Sequence, residues 1–498
     1  MKWLLNKANS ALNSTRSTLP GFGLSWPLLI ALFAVLSVLG VQKIDVLADP
    51  DTYLHIAVGH WILEHGVVPA ADPFSHSLPG AGWIAHEWLA QVALYALYQT
   101  AGWAGLGGVV TLVFAGTLAY LTRFLLTRME PVHALLFAIY AGCMMAGHLL
   151  ARPHVLAWPL LAVWIGSLVI AVEKDSTPRW GLLALMALWA NLHGSFMLGI
   201  ALACGLAMDA TLRQPHSQRL AVALRWSKFI ALALVAAMVT PAGWHGIVFP
   251  FQMVNMAFSL DLIGEWSSPN FHEPQLLEIW LLLALATACT GRLQLPWVRL
   301  MLILALTHLA LKHQRNVSLL GLVTPFLVAS PLGQFWQTPT HPRRNVESVD
   351  RVFQALAASA VLVALLLALA AQTQRFVPAA RNTPAAAVDA AGRLGVFGPV
   401  LNAYEFGGYL VFRSIPVFLD GRADMYGDTL LQRYQSAMTL TDPATLTGLL
   451  TDYHIRWTLL SPNTPALVLL DRMPGWERVY SDAVAVVQLR KSGTPEAQ

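Results

Sequence analysis

Long apolar runs constrain this chain more than any other feature of its sequence. Runs close to the ~20 residues that an α-helix needs to cross a bilayer recur between about residue 24 and residue 373. Hydrophobic residues occupy 56% of the 498 positions and charged residues only 12%, which is about half the usual share in a soluble protein. The sequence therefore predicts a polytopic α-helical membrane protein. It excludes a soluble nucleic-acid-binding protein, so no nucleic-acid partner is expected.

The apolar runs predict eleven transmembrane helices. The predicted spans are residues 24–42, 104–126, 131–150, 154–173, 180–191, 194–211, 228–243, 276–291, 296–311, 316–333 and 353–373. The segment 180–210 also fits one long helix, but that helix would place Arg213, Arg219, Arg225 and Lys228 on the outer side. We therefore expect two short spans, broken near residues 191–194.

The distribution of basic residues predicts the orientation. Sixteen of the 31 Lys and Arg residues fall on one side of the predicted spans, whereas the opposite connections hold only Lys43, Arg152, Lys312 and Arg315. Positive charge collects in cytoplasmic loops, so the N-terminus is expected in the cytoplasm and the C-terminus outside. The predicted domains are a membrane domain over 1–374, with a first outer loop over 43–103, and a soluble extracytoplasmic domain over 375–498. The three cysteines lie in apolar runs and show neither metal-ligand spacing nor a disulfide framework.

The first outer loop opens with the acidic segment Asp49-Pro50-Asp51. Asp followed by Pro is typical of a helix start, and Gly66 fits the corresponding helix stop. Apolar residues between them follow a helical stripe, which predicts an amphipathic helix lying along the membrane interface. Asp49 is equally well explained as a cap with no chemical role. Asp51 has no such structural explanation and is the stronger candidate for chemistry.

Polar side chains collect at the predicted outer side. Thirteen of the sixteen histidines fall there, and ionisable groups near a membrane are costly unless they face water, a partner or a site. Arg152, Arg315, Lys312 and His313 are candidates for binding a lipid phosphate, although snorkelling to the interface also explains such cations. Asp51, His86 and Glu87 are candidate ligands of a divalent metal. The candidates for a supporting role are His55, His193 and His272.

The segment 375–498 alternates short apolar runs with turn signals, which predicts a small α/β domain. Strands are expected at 396–397, 408–412, 415–419, 456–460 and 483–489, and a helix from Asp442-Pro443 to about Tyr453. Arg422, which follows a predicted strand end, fits either a ligand-binding role or a structural pair with Asp420. The structural pair is the favoured interpretation.

The first loop and the tail resemble the GT-C superfamily of integral-membrane glycosyltransferases. The similarity is carried by Asp-Pro-Asp-Thr-Tyr-Leu-His at 49–55, His-Glu-Trp-Leu at 86–89, Tyr-Glu-Phe-Gly-Gly-Tyr-Leu at 404–410 and Asp-Gly-Arg-Ala-Asp-Met-Tyr at 420–426. These stretches are similar to a poorly characterised bacterial branch related to protein mannosyltransferase and aminoarabinose transferase, and oligosaccharyltransferase belongs to the same superfamily. Protein mannosyltransferases carry Asp-Glu where this chain has Asp-Pro-Asp, so the acceptor class does not transfer.

The resemblance implies an enzyme of the bacterial plasma membrane and cell envelope. It would move a hexosyl or pentosyl group from a polyprenyl-phosphate carrier to an acceptor at the outer face, with inversion. The catalytic acidic residue of the family falls on Asp49 or Asp51, in some members with a divalent metal as the cofactor. The expected partners are the carrier-linked sugar, an acceptor of unknown class and membrane lipid. Two alternatives remain: a lipid or sugar transporter or flippase, and a membrane assembly protein whose outer domain recruits partners.

Overall fold

The computed structural model describes residues 25–41, 44–254, 256, 258, 264–336 and 376–491. Its membrane part is built almost entirely from helices. They are α1 (Trp26–Gly40), α2 (Asp51–His65), α3 (Trp88–Leu126), α4 (Pro131–Ala146), α5 (Pro153–Glu173), α6 (Leu182–Leu192), α7 (Phe196–Leu212), α8 (His216–Ala237), α9 (His245–Val254), α10 (Leu276–Cys289), α11 (Trp297–Lys312) and α12 (Val317–Phe335).

Ten of the eleven predicted spans overlap one of these helices, and the eleventh, 353–373, lies outside the described residues. By length and composition, four described helices are suited to cross a membrane: α3, α5, α8 and the helical segment that ends with α12. Five further apolar helices are shorter, so the number of crossings stays a prediction. The chain is a largely helical integral membrane protein.

The break between α6 and α7 and the start of α8 can be compared with the spans that were predicted from hydropathy and loop charge. The predicted break near 191–194 is confirmed, since α6 ends at Leu192 and α7 begins at Phe196. The helix of the next predicted span, 228–243, begins earlier than that span, because α8 starts at His216. Where its membrane-crossing part begins stays a prediction. The first turns of α8 carry Arg219 and Arg225, and a hydropathy pattern assigns such charged residues to a loop. Charged residues are nevertheless compatible with an exposed helix end.

The helix predicted after Asp49-Pro50 is present, but its environment differs from the prediction. α2 ends at Gly66, which adopts the left-handed conformation (φ 69°) expected of a helix stop. An interfacial helix would expose one face along its length, whereas residues 52–59 of α2 are all buried, including His55 at 8% exposure. It packs between the first half of α3 and the C-terminal tail. The amphipathic pattern did not reveal the second buried face because Thr52 and His55 are polar.

The first outer loop contains a second helical stretch. α3 starts at Trp88, ahead of the predicted span at 104, and is interrupted at Gly102, whose φ of 61° and ψ of −160° are not helical. Residues 88–101 therefore form a separate helical segment within the loop, and they pack against α2. Glycine permits this break because it lacks the Cβ that disfavours positive φ.

The tail contains helices α13 (Ala385–Arg393), α14 (Gly407–Phe412), α15 (Ala423–Thr439), α16 (Pro443–Asp452) and α17 (Ala466–Leu470). Four strands, β1 (Val400–Asn402), β2 (Trp457–Leu460), β3 (Trp476–Ser481) and β4 (Val486–Arg490), form one sheet in the order β1-β2-β4-β3. β1 and β2 are parallel, and the other pairs are antiparallel. A small C-terminal α/β unit is therefore present, as predicted.

Individual strands of the tail were predicted less well. β2, β4 and helix α16, which is capped by the Asp442 side chain, confirm three predicted elements. The predicted strand at 408–412 is helix α14, 415–419 contributes only an isolated bridge from Val417 to Ser75, and the first strand lies at 400–402 instead of 396–397. Short apolar runs do not distinguish a buried strand from a buried helix.

The hydrophobic core is divided between two clusters. One lies among the membrane helices. The other joins the tail to the first outer loop, because Tyr53, Leu54 and Val58 of α2 share it with Leu410 and Phe418. The core of the tail therefore continues into α2, which belongs to the same packed unit. We call the end of the helices that faces this unit the tail side.

Candidate active site

Arg152 is the centre of a charged cluster on the tail side. A residue before proline is restricted to extended backbone, and Arg152 (φ −127°, ψ 159°) precedes Pro153 at the start of α5. Its Nε lies 3.2 Å from Oδ1 of Asp49, and its two Nη atoms donate to Asp51 and Glu265. One guanidinium therefore contacts three carboxylates, which leaves an excess of negative charge.

Asp49 is both a helix cap and a member of this cluster. Its Oδ1 accepts the backbone N–H of Asp51 at 2.8 Å, and its side chain is only 7% exposed. Burial raises the pKa of Asp49 to about 6, although Arg152 opposes the shift. Burial would also raise the pKa of Glu265, but Arg152 and Arg315 outweigh it and lower that pKa. The two interpretations of Asp49 are thus compatible, since capping and ion pairing occur together.

Glu87, directly before α3, lies between two histidines. Its Oε1 is 3.5 Å from Nε2 of His193 and 3.7 Å from Nε2 of His86. The backbone N–H of Ser195 donates to Nδ1 of His193 at 3.1 Å, so neutral His193 carries its proton on Nε2, facing Glu87. Burial raises the pKa of Glu87 to about 8 and lowers that of His86 to about 4. At neutral pH, Glu87 therefore holds a proton.

A cavity adjoins the Arg152 cluster. Its wall includes Glu265 and Arg315, together with His148, His154 and His193. The Arg315 guanidinium lies 4.5 Å above the ring of Trp266 and, in the described part of the chain, has no ion-pair partner. The charge of Glu265 acts on Arg315 without a direct ion pair, so the guanidinium, which lies beside imidazoles, is suited to bind an anion such as a phosphate.

The other predicted site residues are scattered around this cavity. The Nδ1–H of His313 donates to the backbone carbonyl of Trp266, the residue whose ring lies under Arg315. His55 is buried beneath α3, 3.4 Å from the amide nitrogen of Gln91, and burial lowers its pKa to about 3. Lys312 and His272 are exposed and do not line the cavity. The structure thus brings Arg315 and His193 to the cavity but neither Lys312 nor His272.

The three predicted metal ligands do not come together. Asp51 turns toward Arg152, whereas His86 and Glu87 contact each other and His193. Over the described ranges, no group of three or more His, Cys, Asp or Glu side chains is arranged to hold a metal. These residues therefore do not fit a metal as a set, and a metal requirement stays an untested prediction.

Two contributions from outside the predicted site were not expected from the sequence. Asp424, in the first turn of α15, is half-buried and raises the pKa of Glu87 further, while partial removal from water raises its own pKa to about 6. Asp72 has a fully buried side chain and binds Arg422 with a 2.6 Å contact. Asp72 could have been identified only from its ion pair with Arg422. These two residues are far apart in the sequence, and the spacing of residues does not show such pairs.

Comparison with solved structures identifies the fold. The archaeal oligosaccharyltransferase AglB from Archaeoglobus fulgidus, in complex with an inhibitory peptide and a dolichol-phosphate, is similar with a TM-score of 0.51 and 12% identity. The match covers 88% of this chain and 69% of AglB. ArnT from Cupriavidus metallidurans, bound to undecaprenyl phosphate, is similar at a TM-score of 0.46 and 13% identity, over 93% of this chain and 98% of ArnT.

No protein-family model matches the chain, and no curated protein matches it in sequence. The similarity to AglB confirms the fold that the resemblance implied, because oligosaccharyltransferase belongs to the GT-C superfamily.

Proposed function

We propose that this protein is a glycosyltransferase that moves a sugar from a polyprenyl-phosphate carrier to an acceptor at the outer face of the bacterial plasma membrane. The observation that carries the proposal is the Arg152 carboxylate cluster beside a cavity that holds Arg315. The fold supports it as well, since the AglB structure contains a dolichol-phosphate. The N-terminus is taken to be cytoplasmic and the tail extracytoplasmic.

In the proposed reaction, Asp51 is the general base. An acceptor O–H or N–H attacks the anomeric carbon, the bond from that carbon to the phosphate oxygen breaks, and the acceptor's proton passes to Asp51. Polyprenyl phosphate leaves with the electron pair of the broken bond. Asp51 keeps 16% of its side chain exposed, compared with 7% for Asp49, so it is the more accessible of the two carboxylates. Asp49 then positions Asp51 by accepting its backbone N–H.

Arg315 is proposed to bind the carrier phosphate. Negative charge grows on the leaving phosphate during transfer, and a fixed cation in a site shielded from water stabilises that charge more effectively than water does. Arg152, in contrast, is neutralised by its three carboxylates, so its proposed role moves from phosphate binding to holding the acidic residues. No step of this mechanism passes through a metal ion.

The experiment that tests this function uses the purified full-length protein in lipid nanodiscs. Polyprenyl-phosphate donors with labelled hexose or pentose are added with a membrane extract as the source of acceptor, and polyprenyl phosphate release is measured. The proposal predicts release with at least one donor by the wild type and loss of release in Asp51→Asn. A transporter or flippase would move the intact carrier without releasing its phosphate, and an assembly protein would do neither. Either result would contradict the proposal.

A further inference from the structure

The Asp420-Gly421-Arg422 turn of the tail is anchored to the first outer loop by a buried ion pair. Arg422 is 4% exposed, and its Nη1 lies 2.6 Å from Oδ1 of Asp72, which is 0% exposed. Its Nε and Nη2 bind Asp420 at 2.8 and 2.6 Å. The guanidinium also lies 4.7 Å from the ring centre of Trp83. Two carboxylates and an aromatic face therefore hold one cation, and they fix the turn to residues 72–83.

The chain just before this turn is fixed to the same loop by backbone hydrogen bonds. The N–H of Val417 donates to the carbonyl of Phe74 at 3.1 Å, and the N–H of His76 donates to the carbonyl of Val417 at 2.9 Å. The hydroxyl of Ser77 donates to the carbonyl of Phe418 at 2.5 Å. Because backbone groups on both sides take part, the position of the turn does not depend on Arg422 alone.

At this position, Gly421 touches the proposed catalytic carboxylate. A methyl group added at Gly421 would lie 2.6 Å from Cγ of Asp51 and closer still to its Oδ1. Gly408, at the start of α14, approaches from another direction, since a methyl group there would lie 2.6 Å from the carbonyl oxygen of Pro50. Both contacts are closer than real Cβ atoms show. A side chain at Gly408 would therefore have to displace backbone, and one at Gly421 would have to displace the Asp51 carboxylate.

We propose that the Asp420-Gly421-Arg422 turn is a positioning element for the transfer reaction, and that Gly421 fixes the side-chain position of Asp51 from the side opposite to Arg152. Arg152 binds Oδ2 of Asp51, whereas Gly421 limits the movement of Oδ1. The tail is then a wall of the catalytic centre in addition to any role in recognising the acceptor. This inference rests on the proposed function for its catalytic part, but the contact itself is testable without activity.

The first test is a double-mutant cycle on stability with the full-length protein. Gly421→Ala should lower Tm in the wild-type background because its methyl group meets the Asp51 carboxylate. In the Asp51→Ala background this loss should largely disappear, because the carboxylate has been removed. Gly408→Ala serves as the comparison, since its clash is with backbone and should persist in Asp51→Ala. Gly392→Ala, at an exposed helical position with nothing within 4 Å, is the neutral control. An equal loss from Gly421→Ala in both backgrounds would overturn the contact.

The second test is kinetic. Misplacing a catalytic group by about 1 Å costs on the order of 100-fold in rate, so Gly421→Ala should lower kcat by that order while the donor KM stays near the wild-type value. A wild-type kcat in folded Gly421→Ala would overturn the positioning role. A fall in kcat matched by an equal loss of folded protein would do so as well, because it would show general destabilisation. If the wild type has no transfer activity, the proposed function fails, and the stability cycle still decides whether Gly421 holds Asp51.

Discussion

Both ends of α5 carry half-buried ion pairs, but the two ends differ in how many carboxylates contact each arginine. At the tail side, Arg152 alone contacts three carboxylates, beside a cavity that contains Arg315. At the other end, ~30 Å away along a helix of 21 residues, Arg128 donates to Glu173 at 2.6 Å and the hydroxyl of Ser330 donates to the same carboxylate.

A second ion pair lies at the end away from the tail. Arg299 is 1% exposed, and its Nε lies 2.8 Å from Asp209 while its Nη1 donates to the carbonyl of Leu327. Here Asp209 is shared by Arg299 and the more exposed Arg213, and the contacts of Arg299 join α7, α11 and α12. The comparison teaches that burial of charge alone does not mark a reactive site. The tail side differs because one guanidinium contacts three carboxylates, because carboxyl groups there have raised pKa values, and because a cavity adjoins them.

The largest effect is expected at Asp51. Removal of a general base costs about 10²–10⁴-fold in rate, so Asp51→Asn should lower kcat within that range and leave donor binding intact. Asp49→Asn should cost less, because an amide oxygen still accepts the Asp51 N–H. Single-turnover transfer and donor-binding measurements on both variants check this. Full activity in both variants would break the assignment of chemistry to the tail side.

The ion pairs at the end away from the tail, such as Arg299 with Asp209, should affect stability and not catalysis. Breaking a buried ion pair costs ~3–5 kcal/mol, so Arg299→Met should lower the free energy of unfolding by about that amount, with activity per folded molecule unchanged. Arg213→Met provides the control: Arg213 pairs with the same Asp209 but is 37% exposed, and ~1 kcal/mol or less is expected. Denaturant unfolding in detergent measures both. A strong loss of kcat in folded Arg299→Met would contradict the proposed difference between the tail side and the opposite end of the helices.

Arg315 should affect donor affinity. A charge-assisted hydrogen bond contributes about 1.5–3 kcal/mol, so Arg315→Ala should weaken donor binding by roughly ten- to a hundredfold. Arg315→Lys should recover part of this, since it keeps the charge but not the fork of donors. Arg292→Ala, an exposed arginine between α10 and α11, is the control. Unchanged donor affinity in Arg315→Ala would show that the carrier phosphate binds elsewhere.

The smallest effect is a pH dependence of stability from Glu87. Its pKa is raised from 4.5 to about 8, so the folded protein binds a proton that the unfolded chain has released. The stabilising contribution of the protonated form is present below pH 4.5 and is lost as the pH rises toward 8. When the pH is raised from 6 to 8, the Tm of the wild type should therefore fall by more than the Tm of Glu87→Gln. Equal losses would show that Glu87 is already ionised at pH 6.

The sequence was most informative where the signal is local. Apolar runs, the Gly66 helix stop and the break near 191–194 depend on neighbouring residues, and the structure confirms them. The candidate acids were found for the same reason, since Asp49-Pro50-Asp51 is a contiguous motif. The start of helix α8 was not predicted, because the hydropathy of its exposed, basic first turns resembles that of a loop.

The arrangement of the site depended on contacts that the sequence does not encode locally. Arg152 and Asp51 are 101 positions apart, and Asp72 and Arg422 are 350 apart. Without those pairings, Arg152 was assigned to the carrier phosphate, and Asp72 received no role. The burial of α2 under the tail was likewise invisible, because nothing in its own pattern indicates which surface will cover its polar face.

The most direct test of this account is to locate the carrier phosphate on the protein. A polyprenyl-phosphate analogue with a photoreactive group next to its phosphate is cross-linked to the wild type in nanodiscs, and the labelled peptides are identified by mass spectrometry. The account predicts labelling of the cavity wall, at residues around His148 and Arg315, with competition by unlabelled polyprenyl phosphate. Labelling confined to the opposite end of α5, near Glu173, would contradict it.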